Sequence, residues 1–172
     1  MTFPKNHKRL ARLALAALIS AQAVLPAISQ ASTTTSTVNI GASVASQCTI
    51  GGSSLSFGSY DPAAGSPNDA TATIAVQCNN GKAYNVGLDA GGFSGATVSD
   101  RKMNGPDALG LSYALYSDSG RGQNWGDTVG TDTVSGTGDG ASHDLTVYGR
   151  IPTGQFITDG AYTDVVTATL TF

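Results

Sequence analysis

The side chains that could carry acid–base or nucleophilic chemistry are few and far apart in this sequence. His143 is the single histidine after residue 31, and it stands beside Asp144 in a polar stretch, where a solvated loop histidine is the common case. Ser94 follows Gly92 at the spacing of a nucleophile elbow, but Ala96 occupies the position of the elbow's second glycine. We therefore predict that the protein is not an enzyme.

Aspartates and cysteines are the remaining candidates for binding a metal ion. Asp132, Asp139 and Asp144 lie in one stretch, but their spacing matches no calcium-binding loop, and aspartates commonly initiate turns. Cys48 and Cys78 have no histidine near them in the sequence, which makes a poor zinc site. We predict no metal ion and no cofactor.

Three further residues have both a functional and a structural interpretation. Arg101 and Lys102 form a basic pair that could meet an acidic partner, although a solvated loop is the more common setting and exposed ion pairs contribute little. Trp125 could stack on a sugar or an apolar surface, but anchoring in a core or loop is the more frequent use of a tryptophan ring. We predict a solvated loop for the basic pair and a buried ring for Trp125.

The first 31 residues have the layout of a secretory signal peptide. A basic start precedes an apolar run that is shorter than the ~20 residues needed to span a membrane, and a small-residue cleavage site follows. These features are Lys5, Lys8, Arg9 and Arg12, then Leu13 to Val24, then Ser29 to Ala31. We predict cleavage after Ala31 and no transmembrane segment in the mature chain.

Export has consequences for the cysteines and for the net charge. In an oxidising compartment a disulfide between Cys48 and Cys78 is the default, ahead of a metal site or a reactive thiol. Four of the nine Lys and Arg residues precede residue 32, so five remain against twelve acidic residues, a net charge of −7. This charge argues against binding nucleic acid or an acidic membrane.

Apolar residues alternate with polar ones in several short runs, which is the period of β-strands. The predicted elements are a strand over Val38 to Val44, a hairpin over Ala70 to Leu88, strands over Leu109 to Leu115, Leu145 to Gly149 and Gly160 to Phe172, and a loop over Ser117 to Gly140. The 22 glycines and the abundant Thr, Ser and Val also favour strands and turns. Short strands between frequent turns predict one all-β domain, a sandwich of immunoglobulin-like type.

A series of short motifs, in order along the chain, resembles the spore coat protein U domain family, which also contains the subunits of archaic chaperone–usher pili. The motif residues are Cys48, Thr49 and Ile50; Leu55, Phe57, Gly58, Tyr60, Asp61 and Pro62; Val76, Cys78, Gly81 and Tyr84; Leu111, Tyr113, Leu115, Tyr116 and Asp118; Trp125 and Gly126; Tyr148 to Pro152, Gly154 and Gln155; and Gly160, Tyr162, Asp164 and Val166. The series covers nearly the whole mature chain.

The resemblance implies an incomplete immunoglobulin-like sandwich of the pilin type, which lacks its last strand and is completed by a donor strand from a partner. It divides the chain into a signal peptide (1–31), an N-terminal donor segment (32–46) and a pilin domain (47–172). The donor side chains would be Val38, Ile40, Ala42 and Val44, and the acceptor groove would include Val166, Ala168, Leu170 and Phe172. The alternative for the donor segment is an ordinary first strand that pairs within its own domain.

The resemblance also implies partners and a location. A periplasmic pilus chaperone would fill the groove first, an outer-membrane usher would assemble the fibre, and neighbouring pilin subunits would then exchange strands. The protein would be a structural subunit of a surface pilus with a role in adhesion or biofilm formation. The alternative is a secreted spore-coat-like protein or a surface-binding adhesin module.

Overall fold

The computed structural model describes residues 30–172, and these form an all-β protein. Nearly all of the predicted signal peptide (1–31) lies outside the described residues. The chain divides into one unit up to Ala42 and a second from Ser43 to Phe172. The eight strands of the second unit are β1 (Cys48–Gly51), β2 (Asn68–Cys78), β3 (Ala83–Leu88), β4 (Arg101–Met103), β5 (Leu111–Tyr116), β6 (Val134–Thr137), β7 (Ser142–Ile151) and β8 (Ala168–Thr171).

The strands form two antiparallel sheets that enclose one core. The larger sheet has the order β1-β2-β7-β5-β4, and the smaller has the order β6-β3-β8. Alternate residues of each strand face inward, as the sequence pattern predicts, and Trp125 is buried as predicted, its indole N–H donating to the Val86 carbonyl at 2.8 Å. The buried apolar side chains are Ile74, Val76, Cys78, Tyr84, Val86, Leu88, Met103, Leu111, Tyr113, Leu115, Trp125, Val147 and Ile151.

The predicted hairpin over Ala70 to Leu88 is wrong, although both of its strands exist. β2 pairs with β1 and β7, whereas β3 pairs with β6 and β8 in the other sheet. The turn at Asn79–Lys82 therefore carries the chain from one sheet to the other. The physical reason is that Val76 and Val86 are both almost fully buried and lie on opposite walls of the core, which two neighbouring strands of one sheet cannot achieve.

Three other sequence predictions need smaller corrections. Leu109 lies in a loop and is 73 % exposed, so the strand begins at Leu111. The predicted loop over Ser117 to Gly140 contains β6. Within the predicted strand over Gly160 to Phe172, only β8 is paired over several residues, and Thr163 makes an isolated bridge to Asn104. No helix among the described residues is long and apolar enough to cross a membrane.

The predicted solvated loop for the basic pair is wrong, because Arg101 is completely buried in β4. Its guanidinium donates to four backbone carbonyl oxygens at 2.6 to 2.8 Å, those of Leu88, Asp89, Val98 and Trp125. Leu88 belongs to the smaller sheet and Arg101 to the larger one. The Arg101 guanidinium, a rigid fork with five N–H donors, thus links the two sheets, which share no strand pairing.

The predicted disulfide joins Cys48 to Cys78 across the first residue pair of β1 and β2. Because it closes a separation of 30 residues, we expect Cys48→Ser to lower the free energy of unfolding by about 3.5 kcal/mol on the chain-entropy account. Urea unfolding of the variant and the wild type measures this difference. Thiol labelling of the denatured wild type is expected to find no free sulfhydryl, and two free thiols per chain would contradict the bridge.

Candidate functional site: an open groove in the sandwich

A long groove of about 960 Å³ opens between the two sheets. Its floor consists of inward-facing core residues from β2, β3, β4, β5 and β7, including Ile74, Leu88, Leu115 and Val147. Its two walls are residues 52–62, which follow β1, and residues 155–168, which lead into β8. A further strand between these two walls would cover the groove.

The first wall is extended but is tied to the sheet mainly by side chains. The Asn68 amide donates to the carbonyls of Phe57 and Ser59 at 3.0 and 3.2 Å. Leu55 and Phe57 point inward onto Gly149 of β7, where an added Cβ would approach Phe57 Cζ to 2.8 Å. Gly149 thus makes room for the two apolar side chains that line this wall.

The second wall alternates along its length. Asp164, Val166, Ala168 and Leu170 are half-buried, while the residues between them are exposed. The other edge of β8 is unpaired, because in the described part of the chain β8 pairs with β3 alone. An unpaired strand edge presents free N–H and C=O groups that favour pairing with another chain.

The four predicted acceptor residues occupy different places. Val166 and Ala168 line the groove directly, and Leu170 packs against the core, opposite Val86 of β3. Phe172 is 52 % exposed, with the Lys82 ammonium 5.6 Å from its ring centroid. The structure thus brings the first two into the groove, and the acceptor role of all four stays a prediction.

Polar contacts hold the second wall in place. The Tyr113 hydroxyl donates to Asp164 Oδ2 at 2.6 Å, and Asp164 Oδ1 accepts the backbone N–H of Gly92 at 2.7 Å. Burial and the nearby Asp164 carboxylate raise the pKa of Tyr113 above its usual value, so Tyr113 remains a hydrogen-bond donor at all physiological pH values. This cluster joins the wall to the groove floor.

A second polar cluster lines the groove beyond the end of β7. The Gln155 side chain accepts the Ser112 N–H at 2.8 Å and donates to the Ser112 carbonyl at 2.9 Å. Pro152, which follows β7, has no N–H with which to pair with β5. The Gln155 amide therefore takes the place of a strand partner for β5 at this point. Tyr60 completes the cluster, because its hydroxyl donates to the Pro152 carbonyl at 2.8 Å.

The predicted donor side chains are exposed and outside any strand. Val38, Ile40 and Val44 are 82 %, 93 % and 86 % exposed, and residues 30–47 form no strand. The alternative of a first strand paired within its own domain is therefore not observed for this segment. The donor role itself stays a prediction.

The side chains considered for chemistry remain apart. His143 lies on β7 and its Nε2 is 2.9 Å from Asp139 Oδ1, with both side chains about half exposed. This hydrogen bond to His143 lowers the pKa of Asp139. The Asp132 carboxylate instead accepts the backbone N–H of Thr128 at 2.8 Å in a turn. Within residues 30–172, no three metal-ligating side chains come together.

Sequence reasoning missed most of the groove. Leu55, Phe57, Tyr113 and Ile157 line it, and none of them is among the acceptor residues predicted from the sequence. The inward parity of Leu55 with Phe57, and of Leu111 with Tyr113, was a usable signal for burial. It did not indicate which buried residues would be left uncovered, because that depends on which strand is missing.

Comparison with known proteins places the chain in a family. Residues 34–169 match the model of the Spore Coat Protein U domain. Protein U of Myxococcus xanthus is 36 % identical, over 91 % of this chain and 96 % of its own length.

Solved structures of pilus subunits share the fold. One is a chain of the chaperone–tip adhesion subunit pre-assembly complex CsuC–CsuE, from archaic chaperone–usher Csu pili of Acinetobacter baumannii, with a TM-score of 0.55, 21 % identity, and coverage of 75 % of this chain and 40 % of that one. Another is the P pilus rod subunit PapA, with a TM-score of 0.54, 18 % identity, and coverage of 72 % and 97 %. The fold is thus the incomplete immunoglobulin-like sandwich of pilus subunits, and the chain belongs to the Spore Coat Protein U domain family.

Proposed function

We propose that this protein is a structural subunit of a chaperone–usher surface fibre that assembles by donor-strand complementation. The observation that carries the proposal is the open groove beside the unpaired edge of β8. A groove lined by half-buried apolar side chains such as Phe57, Ile157 and Val166 costs roughly 25 cal/mol for each Å² of apolar surface left in water. A strand inserted between its walls would remove that cost and pair the free edge.

The N-terminal segment of a second copy is the occupant we propose. Its apolar side chains recur at every second residue from Val38 to Val44, so an extended segment presents all four on one face. Strand addition to a sheet edge is an established mode of peptide recognition, in which backbone hydrogen bonds supply affinity and alternate side chains supply specificity. The chain thus offers both a groove and a segment of matching periodicity.

The partners follow from the proposed assembly. A periplasmic chaperone would occupy the groove before assembly, an outer-membrane usher would catalyse strand exchange, and neighbouring subunits would form the fibre on the cell surface, with a role in adhesion or biofilm formation. The fold shared with Csu and P pilus subunits supports this. In this role the protein is a building block and not an enzyme.

A second candidate function is a secreted spore-coat-like protein. The 36 % identity to Protein U over nearly its whole length favours it, and so does the name of the family. Electron microscopy of cells with and without the gene distinguishes the two: loss of thin fibres supports the pilus subunit, whereas loss of a coat layer supports the alternative.

The proposal predicts that the folded domain depends on a strand supplied in trans. A synthetic peptide of residues 32–46, added while the chain from Ser32 refolds, is expected to raise the midpoint of thermal unfolding and to suppress aggregation, because it covers the groove. The same peptide with Ile40→Asp is the matched control and is expected to do neither. A chain that unfolds cooperatively as a stable monomer and ignores the peptide would contradict donor-strand complementation.

A further inference from the structure

The sandwich has two ends, set by the pairing of β2 with β7. Ten residue pairs run from Gln77–Ser142 to Asn68–Ile151, which at ~3.3 Å per residue separates the ends by about 30 Å. The disulfide end holds the Cys48–Cys78 bridge and the Asn79–Lys82 turn. The distal end holds the loop of residues 104–110 and the loop of residues 152–163.

Two large apolar side chains are exposed at the distal end. Leu109 is 73 % exposed and Phe156 is 77 % exposed. Their loops are joined, because the Asp107 carboxylate accepts the backbone N–H groups of Leu109 at 2.9 Å and of Thr158 at 3.3 Å. The Tyr162 hydroxyl adds a further link, because it accepts the Asp107 N–H at 3.2 Å and donates to the Thr158 carbonyl at 2.8 Å. The apolar pair is thus presented on ordered loops next to the groove.

The geometry of strand exchange brings the two ends of successive copies together; this step rests on the proposed function. β8 runs towards the disulfide end, since Ala168 pairs with Leu88 and Thr171 with Asn85 near the start of β3. A donor strand antiparallel to β8, the more stable arrangement, therefore leaves the groove at the distal end. Only residues 45–47 separate Val44 from Cys48, a reach of about 13 Å.

We propose that Leu109 and Phe156 of one subunit pack against the Asn79–Lys82 turn at the disulfide end of the next. Because the connection of residues 45–47 is short, the disulfide end of the donating copy must lie beside the distal end of the accepting copy. The turn is ordered, because the Lys82 N–H donates to the Asn79 carbonyl at 3.1 Å and the Gly81 N–H to the Gly138 carbonyl at 2.8 Å. Successive subunits thus share an end-to-end contact in addition to the donor strand.

Disulfide cross-linking tests the contact in polymers formed by refolding the concentrated chain from Ser32. The variant Phe156→Cys/Asn80→Cys is expected to give a ladder of covalent multimers on a non-reducing gel, because the two positions meet across the interface. The matched control is Phe156→Cys/Thr71→Cys, since Thr71 is exposed in the middle of β2 on the outer face of the sheet. The control is expected to give no ladder.

Polymer dissociation separates the contact from the donor strand. Leu109→Ser/Phe156→Ser is expected to polymerise but to dissociate about tenfold faster, the equivalent of ~1.4 kcal/mol per interface. Val129→Ser, at an exposed apolar residue outside both loops, is expected to match the wild type. The contact alone is overturned if the wild type polymerises normally, the cysteine variant gives no ladder and the double serine variant dissociates at the wild-type rate. A wild-type chain that never polymerises overturns the proposed function as well.

Discussion

Replacing Ile40 by aspartate is expected to abolish polymerisation without disturbing the packing within the subunit's own domain. In the free chain Ile40 is 93 % exposed, so its replacement removes no intramolecular packing. In the groove of a neighbour, the isoleucine would contribute roughly 1.5–3 kcal/mol, and an aspartate there would lose its water without gaining a partner. The combined loss of about 4 kcal/mol or more weakens the donor strand by at least ~1,000-fold.

Asn39→Asp is the matched control for this prediction. Asn39 is adjacent to Ile40 but belongs to the opposite parity of the segment, so in an extended donor strand it points to solvent. The same charge is therefore expected to be tolerated one position away. Fibres scored by electron microscopy give the answer, and normal fibres from Ile40→Asp would end the donor-strand hypothesis for this segment.

The chaperone step distinguishes a defective donor from a misfolded subunit. A chaperone would fill the groove with its own strand, so the complex does not require Ile40. Gel filtration of Ile40→Asp co-expressed with the chaperone is expected to show a normal one-to-one complex. Loss of that complex would mean that the substitution damages the subunit itself.

The sequence predicted the features that depend on local alternation. Tyr84, Val86 and Leu88 recur at every second residue of the sequence, and the structure buries all three. The buried ring of Trp125 followed from its size. The all-β class followed from the lack of helical periodicity and from the composition, so local pattern was sufficient for the strands and for much of the core.

The pairing of the strands could not be predicted in this way. Asn79, Asn80 and Gly81 have the composition of a hairpin turn, and the turn does form, with Gly81 at φ 77°. Whether the strands on either side then pair or separate into two sheets depends on residues far away in the chain. β3 finds its partners in β6 and β8, and no local signal near residue 81 contains that information.

The groove was predicted in kind but only in part by residue. Val166 and Ala168 of the second wall line the groove, and their acceptor role stays a prediction. The sequence does not predict the first wall, around Leu55 and Phe57, because these residues have the same pattern as residues of a closed core. They differ from core residues only in that no strand lies between the two walls. The sequences of the two walls contain no signal that the strand between them is missing.

The prediction that Arg101 lies in a solvated loop is wrong for a related reason, since a charged pair in a turn-rich stretch is usually solvated. Its burial depends on four backbone carbonyls that come from separate parts of the chain. These carbonyls belong to the end of β3, the segment that follows it, the turn before β4 and the Trp125 segment. Only the assembled sandwich brings them within reach of one guanidinium.

Removing this guanidinium is expected to unfold the domain. Arg101→Met leaves four carbonyl oxygens without these donors, two in buried and two in part-buried contacts, and each buried unsatisfied group costs about 1–3 kcal/mol. The total is comparable to the 5–15 kcal/mol by which a typical domain is stable. Arg101→Lys is expected to fail as well, because a single ammonium has three donors at one point and cannot span carbonyls that a planar fork reaches.

Lys102→Met is the control that separates burial from charge. Lys102 is the neighbouring residue of β4, but it is only partly buried and lies 5.7 Å from the Phe93 ring centroid, a contact worth about 0.5–1 kcal/mol. Soluble yield and the midpoint of urea unfolding are the measurements. We expect a near-normal midpoint for Lys102→Met and no folded protein from either Arg101 variant; a wild-type midpoint for Arg101→Met would show that these four hydrogen bonds do not hold the two sheets together.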